Sequence, residues 1–411
     1  MNETAAALRS TEPRVYLDYT QAELDAAYDQ TVYEPNIQQL RDRWASASER
    51  TRARIGQPER HAYGPSTIEA LDIFHTAASA ASPAPIFVFI HGGAWRAGLA
   101  KTYAAPAEMF VRAGAHYIVP DFVSVQDADG SLFPMAEQVC RAIAWVYRNA
   151  ASFGGDSNRL YLGGHSSGAH LAAVALTTHW LGKFDLPANV IKGGMVSSGM
   201  YDLHPVRLSH RSSYVSFTDE MVQALSPQRH IARLSAPLIV AYGTRETPEF
   251  QRQARDFATA VGEAGKPVDL LVGSDYAHLE LPETLCNPHG LLGAAVLDQM
   301  GLAASQPQTA DARNSARRTR TIAATVALSS IHKSYGITVM EQDTLPQPTT
   351  SAATRETEPE VQAGILSGDT NPETPTAIET DQRDTHSFGR LALWIGAGAL
   401  LGYGASRLWR R

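Results

Sequence analysis

The sequence Gly-His-Ser-Ser-Gly at 164–168 constrains the fold of this chain more than any other feature. It follows a stretch of strand character at 160–163 and precedes a helix-favouring run at 170–176. A serine with glycines two residues before and after it fits a tight strand-to-helix turn, because only small residues let strand and helix approach there. Such a turn presents the Ser166 hydroxyl above the sheet edge, beside a helix N-terminus. The pattern therefore predicts a nucleophilic serine, although the pentapeptide alone also recurs by chance.

The composition limits the class of protein to which this chain can belong. The 411 residues, 44% of them hydrophobic, suffice for one large globular domain and leave about a hundred residues over. A formal charge of −7 gives no reason to expect nucleic acid as a partner. Cys140 and Cys286 are the only cysteines, which excludes a disulfide framework and a thiolate zinc cluster. The first residues show no secretory signal pattern, so we expect a cytoplasmic catalytic domain.

Apolar runs of strand length alternate with helical patterns between residues 55 and 302. The strand candidates are 68–74, 85–90, 117–120, 160–163, 191–197, 238–242 and 268–272. The helix candidates are 135–150, 168–180, 248–261 and 291–300. This alternation predicts an α/β fold with a mostly parallel central sheet and helices on both faces.

Two further regions flank this catalytic domain. Residues 1–54 are predicted to form an N-terminal extension, helical from about residue 17, with Leu24, Ala27, Tyr28 and Val32 near helical spacing. We expect this extension to lie over a pocket. Residues 303–387 are rich in Thr, Pro, Gln and acidic side chains and are predicted to be a disordered linker.

The last segment, 388–411, is predicted to be a C-terminal membrane anchor. Residues 391–405 are apolar or small and are flanked by arginines, with Gly398 and Gly402 at helix-pairing spacing. At about 1.5 Å per residue this stretch spans roughly 22 Å, short of the roughly 30 Å of a bilayer core. An interfacial helix or an unstructured end is the alternative.

A serine nucleophile needs donors for the oxyanion, a base and an acid. His91-Gly92-Gly93-Ala94-Trp95 follows the buried strand ending at residue 90, where an oxyanion loop would lie. We expect the backbone N–H groups of Gly93, Ala94 and Ser167 to be the donors.

The base and the acid are sought after later strands. His278 follows the last strand candidate and is the predicted base. Glu246 follows the strand at 238–242 and is the favoured acid, with Asp202 as its main rival and Glu249 as a lesser one. The order Ser, acid, His is the one that α/β-hydrolases use.

Together these motifs resemble the kynurenine formamidase (arylformamidase)-like branch of the α/β-hydrolase carboxylesterases. The segments that carry the likeness are 91–95, 153–156, 164–170 and 246–250. The likeness covers residues 17–302. Hormone-sensitive-lipase-like esterases share the loop at 91–95 and the serine turn at 164–168, the nucleophile elbow. In this chain, however, Ala94 replaces their third loop glycine, and their acid-bearing motif is not visible. The resemblance implies hydrolysis of an N-formyl aryl amide or a short-chain ester.

We therefore predict a serine hydrolase that cleaves a small-molecule ester or aryl amide without a metal or organic cofactor. A kynurenine formamidase proper and a catalytically silent, membrane-tethered binding module are the alternatives. Trp95 and Tyr201 are candidate pocket residues, with core packing as an equal possibility for each. We also consider a homodimer, and association with a membrane through residues 391–405.

Overall fold

A computed structural model describes residues 12–302 of the chain. Its centre is an eight-stranded sheet with the order β1-β2-β4-β3-β5-β6-β7-β8. The strands are β1 Glu59–Ala62, β2 Ala70–Phe74, β3 Ala84–Ile90, β4 His116–Pro120, β5 Gly155–His165, β6 Gly193–Ser197, β7 Leu238–Gly243 and β8 Val268–Gly273. All neighbouring strands from β4 to β8 across the sheet are parallel. Strand β1 pairs antiparallel with β2, and β2 pairs antiparallel with β4. The predicted mostly parallel α/β sheet is confirmed.

Helices cover both faces of this sheet. They are α1 Gln21–Ala27, α2 Ile37–Ile55, α3 Ala107–Arg112, α4 Phe133–Asn149, α5 Ser167–Leu176, α6 Trp180–Phe184, α7 Leu203–Arg207, α8 Asp219–Ala224, α9 Pro248–Glu263 and α10 Leu291–Gln299. Strand β3 shows why two layers are needed. Ile86, Val88 and Ile90 pack in one core with α4, α5 and α9, and Phe87 and Phe89 pack in the other with α3 and α10. Every residue of β3 is buried, as its continuous apolar run predicts.

The N-terminal extension contains two α-helices, α1 and α2, with a short 3₁₀ helix between them. Helix α1 begins with a capping box, in which Thr20 and Glu23 satisfy each other's backbone N–H groups. Leu24, Ala27 and Tyr28 are buried as their spacing predicts, but Val32 is 59% exposed. Val32 does not continue this buried face, because α1 ends at Ala27 and the chain turns before a short 3₁₀ helix at Gln30–Val32.

Strand β1 was not foreseen from the sequence. It reads Glu-Arg-His-Ala, with no apolar alternation, and most of it is exposed. Its ladder with β2 and an ion-pair clamp hold it in place: Arg60 lies 2.6 Å from the Asp72 carboxylate and 2.5 Å from that of Asp121. Long-range pairing of this kind leaves no local pattern in the sequence.

The predicted linker at 303–387 and the predicted anchor at 391–405 lie outside the described residues. Between residues 12 and 302, no helix is both long and apolar enough to cross a bilayer.

Gly164 and Gly168 stand where backbone segments nearly touch. A Cβ atom on Gly164 would lie 2.5 Å from the carbonyl oxygen of Gly168. One on Gly168 would lie 2.2 Å from that of Ile90, at the end of β3. These distances are shorter than any van der Waals contact, so α5 approaches β3 and β5 this closely only with glycine at both positions.

We predict that Gly168→Ala lowers the free energy of unfolding by about 3 kcal/mol or more, because a backbone carbonyl cannot move aside as a side chain can. Gly262→Ala in α9 is the matched control. Its Cβ would meet only Val268, at 3.7 Å, so this helical substitution is expected to be neutral or to stabilise by up to about 1 kcal/mol. Urea denaturation of both variants measures the difference, and equal effects would contradict the packing argument.

Candidate active site

Ser166 occupies a strained backbone position between β5 and α5. Its φ of 58° and ψ of −128° are rare for a residue with a side chain, and such a conformation costs on the order of 1–3 kcal/mol. The surroundings fix it: the Ser166 N–H donates to the carbonyl of Ser197 at 3.0 Å, and α5 begins at the next residue. The hydroxyl therefore stands at the carboxyl edge of the sheet, beside the positive end of a helix.

His278 lies in the loop that follows β8. Its Nε2 atom is 2.9 Å from Ser166 Oγ, and its Nδ1 atom is 2.8 Å from Glu246 Oε2. An Nδ1–H that donates to the carboxylate leaves Nε2 free to accept the serine proton. The segments after three different strands thus bring these residues together. Glu246 is 32 positions and Ser166 is 112 positions from His278 along the chain.

Glu246 is a fully buried carboxylate in the loop between β7 and α9. Its Oε1 atom accepts hydrogen bonds from the Ser198 hydroxyl at 2.7 Å and from the Gly243 N–H at 2.6 Å. Oε2 is thereby left for His278. Two neutral donors and one imidazole satisfy the charge, so the carboxylate is held in one orientation.

The rival acids are engaged elsewhere. Asp202 caps α7 by accepting from the His204 N–H at 3.0 Å, and it lies 3.6 Å from Arg229. Glu249 is buried in α9 and forms a bidentate pair with Arg252. The structure brings neither of them to His278.

The loop after β3, where the sequence predicts the oxyanion donors, has an unusual backbone. Gly93, Ala94 and Trp95 have φ angles of 127°, 56° and 61°, and consecutive residues of this kind can form a concave group of N–H donors. The loop presses on the serine turn, because a Cβ on Gly92 would lie 3.1 Å from Ser166 Cβ. Gly93 and Ala94 line the same cavity as Ser166, and Ser167 is the first residue of α5, where N–H groups have no intrahelical acceptor.

A cavity of about 590 Å³ opens above Ser166 and His278. Residues of the N-terminal extension form one wall of it, and the loop 93–98, Tyr103 and the segment 210–214 form others. Aromatic and aliphatic side chains mix with arginines in this lining. The larger apolar side chains include Ile37, Leu40, Trp44, Phe89, Tyr103, Leu279 and Pro282.

Neither Trp95 nor Tyr201 is part of this lining. Trp95 is 2% exposed, and its indole N–H donates to His170 Nδ1 at 3.2 Å. Tyr201 is fully buried and stacks on Phe257 at 4.3 Å. Each side chain packs in the core, the alternative that the sequence left open for both, because its ring contacts an aromatic partner there.

Two more titratable groups contact the His278 loop. His165 donates from Nε2 to the His278 carbonyl at 2.9 Å, and burial together with the neighbouring imidazole holds the pKa of His165 well below its usual value. Glu34, from the N-terminal extension, accepts the Leu279 N–H at 3.1 Å and is 1% exposed. Burial raises the pKa of the Glu34 carboxyl. The extension therefore contributes directly to the loop that carries the histidine.

Comparison with known proteins agrees with this geometry. A family model described as BD-FAE matches residues 71–195. Kynurenine formamidase of Danio rerio is 30% identical over 244 residues, covering 58% of this chain and 80% of the relative. The chain belongs to the kynurenine formamidase family of α/β-hydrolases.

More distant relatives share the same framework. The isoprenylcysteine alpha-carbonyl methylesterase ICME of Arabidopsis thaliana is 28% identical, over 48% of this chain and 51% of the relative. The structure of a thermophilic esterase, Est2, from Thermogutta terrifontis superposes with a TM-score of 0.52 at 20% identity, over 62% of this chain and 96% of that one. Fold and family together make this chain a hydrolase of the esterase or amidase type.

Sequence reasoning missed three of the residues that shape this site. Ser198 is one residue past β6 and orients Glu246, and its position at a strand end was the available signal. Glu34 meets Leu279 across 245 residues, and Arg211 lies in a short 3₁₀ helix, so neither had a local motif. No group of three or more His, Cys, Asp or Glu side chains suited to a metal ion occurs within residues 12–302.

We predict that Glu246→Gln lowers kcat about 10³-fold to 10⁴-fold, because an amide favours the wrong imidazole tautomer and does not stabilise its cation. Asp202→Asn is the matched control and should retain wild-type kcat within about twofold, since Asp202 does not contact His278. Steady-state hydrolysis of p-nitrophenyl acetate measures both. If only the Asp202 variant lost activity, Asp202 and not Glu246 would be the acid.

We further predict that Glu34→Ala lowers the free energy of unfolding by about 1–3 kcal/mol, because it leaves the half-buried Leu279 N–H without its acceptor. The rate kcat/KM should fall as well, since Leu279 directly follows His278. Glu34→Gln retains a carbonyl oxygen at this position and should recover most of both quantities. Thermal unfolding and esterase assays on the pair provide the check, and an alanine variant identical to wild type would contradict it.

Proposed function

We propose that this hydrolase cleaves a carboxylic ester or an aryl amide through an acyl-enzyme on Ser166. The observation that carries the proposal is the continuous hydrogen-bonded series from Glu246 to His278 to Ser166, with heavy-atom distances of 2.8 and 2.9 Å, at the wall of the cavity. A nucleophile, a base and an orienting acid within hydrogen-bond reach are what acyl transfer requires.

In the first half-reaction, Ser166 Oγ attacks the substrate carbonyl carbon while its proton passes to His278 Nε2. The negative charge that develops on the carbonyl oxygen is stabilised by the N–H groups of Gly93, Ala94 and Ser167. The imidazolium then gives its proton to the departing alcohol or amine, and the tetrahedral intermediate collapses to the acyl-enzyme. Glu246 stabilises the imidazolium throughout.

In the second half-reaction, water replaces the leaving group. His278 removes a proton from the water as it attacks the acyl carbon, and returns that proton to Ser166 Oγ when the carboxylic acid leaves. The neighbouring His165 does not compete for this role. Its Nε2–H is committed to the His278 carbonyl, and its low pKa keeps it neutral.

The same geometry argues against a catalytically silent binding module. A strained serine, a fully buried carboxylate and a row of positive φ angles each cost free energy in a fold. A binding surface has no use for these features in combination, whereas acyl transfer uses all of them.

A second candidate is hydrolysis of N-formylkynurenine. Its support is the family itself, since the relative at 30% identity is a kynurenine formamidase. The discriminating measurement compares kcat/KM for N-formylkynurenine with that for p-nitrophenyl acetate and butyrate. A formamidase would prefer the formyl amide, and a general esterase would prefer the activated esters.

We predict that Ser166→Ala lowers kcat about 10⁴-fold to 10⁶-fold on every substrate that the wild type accepts, because no other hydroxyl is in reach of His278 Nε2 among the described residues. Ser152→Ala, which removes an exposed hydroxyl bonded to the Asn149 carbonyl, is the control and should keep full activity. Retained turnover in the Ser166 variant would refute an acyl-enzyme on this residue.

A further inference from the structure

Arg211 is a buried cation at the wall of the active-site cavity. It is 6% exposed, yet it lines the cavity together with Ser166 and His278. Its NH1 group donates to the Tyr214 hydroxyl at 2.7 Å and its NH2 group to the Tyr28 carbonyl at 2.8 Å. Both acceptors are neutral, so they hold the guanidinium in place without compensating its charge.

Within residues 12–302, no carboxylate forms an ion pair with Arg211. The acid that comes nearest through shared partners is Glu249, to which the Tyr28 hydroxyl donates at 2.9 Å. Glu249 is already neutralised by Arg252, with two N···O distances of 2.8 and 2.7 Å. Arginine keeps its charge in proteins, and a buried charge without a counter-charge is costly. The rings of Trp95 and Phe250, 5.7 and 5.9 Å from the guanidinium carbon, offset only part of that cost.

Arg96 adds a second unpaired cation beside the first. It directly follows Trp95 in the oxyanion loop, and its guanidinium carbon lies 4.5 Å from the centre of the Tyr214 ring. Tyr214 therefore contacts both guanidinium groups, one through its ring and the other through its hydroxyl. Arg96 lines the same cavity and has no carboxylate partner in the part of the chain that the structure describes.

The acidic residues in the cavity wall belong to the N-terminal extension and have local partners. Asp29 accepts from the backbone and the hydroxyl of Thr31, and Asp42 accepts from Gln38. Neither reaches Arg96 or Arg211. The positive charge around Tyr214 is thus open to an anion that enters from outside.

We propose that Arg211 and Arg96 form a subsite for a carboxylate group of the substrate, so that the enzyme prefers esters or amides that carry an anion away from the scissile bond. A planar guanidinium suits a carboxylate because it offers parallel N–H donors. The proposal rests on the proposed function, since it assumes that the substrate's carbonyl is presented to Ser166 in the same cavity.

Two matched substrate pairs test this preference. On the acyl side, 4-nitrophenyl hemiglutarate is compared with 4-nitrophenyl pentanoate; on the leaving-group side, 3-acetoxybenzoate is compared with 3-acetoxybenzamide. In at least one pair, kcat/KM of the wild type should be about tenfold to hundredfold higher for the anionic member, as a charge-assisted hydrogen bond provides. Arg96→Gln and Arg211→Gln should each reduce that ratio at least about fivefold.

Arg112→Gln is the control variant, because it removes an exposed arginine that pairs with Glu108 on α3, outside this cavity. It should leave the ratio unchanged. If Arg211→Gln does not fold, as judged by thermal unfolding, the exposed Arg96 decides the outcome. A wild type without preference in either pair, or a preference that neither arginine variant lowers, overturns the subsite.

Calorimetric binding to the Ser166→Ala protein separates this proposal from the proposed function. The anionic member of the preferred pair should bind, and Arg96→Gln in the same background should weaken that binding at least about fivefold. Binding without any turnover by the wild type would refute the proposed function and support the subsite. Turnover of neutral esters with no binding preference for the anion would do the reverse.

Discussion

The contact between Gly168 and the carbonyl groups at the end of β3 is the constraint on which the site depends. A Cβ at this position would lie 2.2 Å from the Ile90 carbonyl oxygen and 2.4 Å from that of His91. Because the start of α5 is in direct backbone contact with the end of β3, the serine turn and the loop 91–95 are fixed relative to each other. Ser166 and the backbone of residues 92–94 are therefore held at a set distance from each other before any substrate binds.

Three buried glutamates show how differently one side chain can be used around this turn. Glu246 is bonded to Ser198, Gly243 and His278 and orients the imidazole. Glu249 is neutralised by Arg252 and holds the Tyr28 hydroxyl. Glu34 accepts from the Leu279 N–H and links the N-terminal extension to the His278 loop. Their partners, and not their burial, distinguish the acid beside the base from the two that position other groups.

Parts of this arrangement follow from the sequence because they depend on local patterns. The glycines of the elbow, the loop after a wholly apolar strand and the helix begun by Pro248 each leave a signature within a few residues. The order of Ser166, Glu246 and His278 then follows from the succession of parallel strands. The structure brings these three side chains together, and the roles assigned to them stay a proposal.

Other parts could not be predicted, since they depend on contacts between distant segments. Trp95 follows Ala94, a predicted oxyanion donor, and Tyr201 precedes Asp202, a rival acid, but their rings contact His170 and Phe257 on the core side. Arg211 carries no motif, and its charge is left uncompensated because Glu249, the acid linked to it through Tyr28, is already paired with Arg252. Which wall of a cavity a side chain faces is decided by packing across the whole domain.

Covalent labelling of the full chain with a fluorophosphonate, followed by intact mass and peptide mapping, shows whether Ser166 is the nucleophile. We expect one adduct per chain, on Ser166, formed at a rate that falls when Glu246 is replaced by glutamine. An adduct on another residue, or continued ester hydrolysis by a protein that takes up no label, would contradict it.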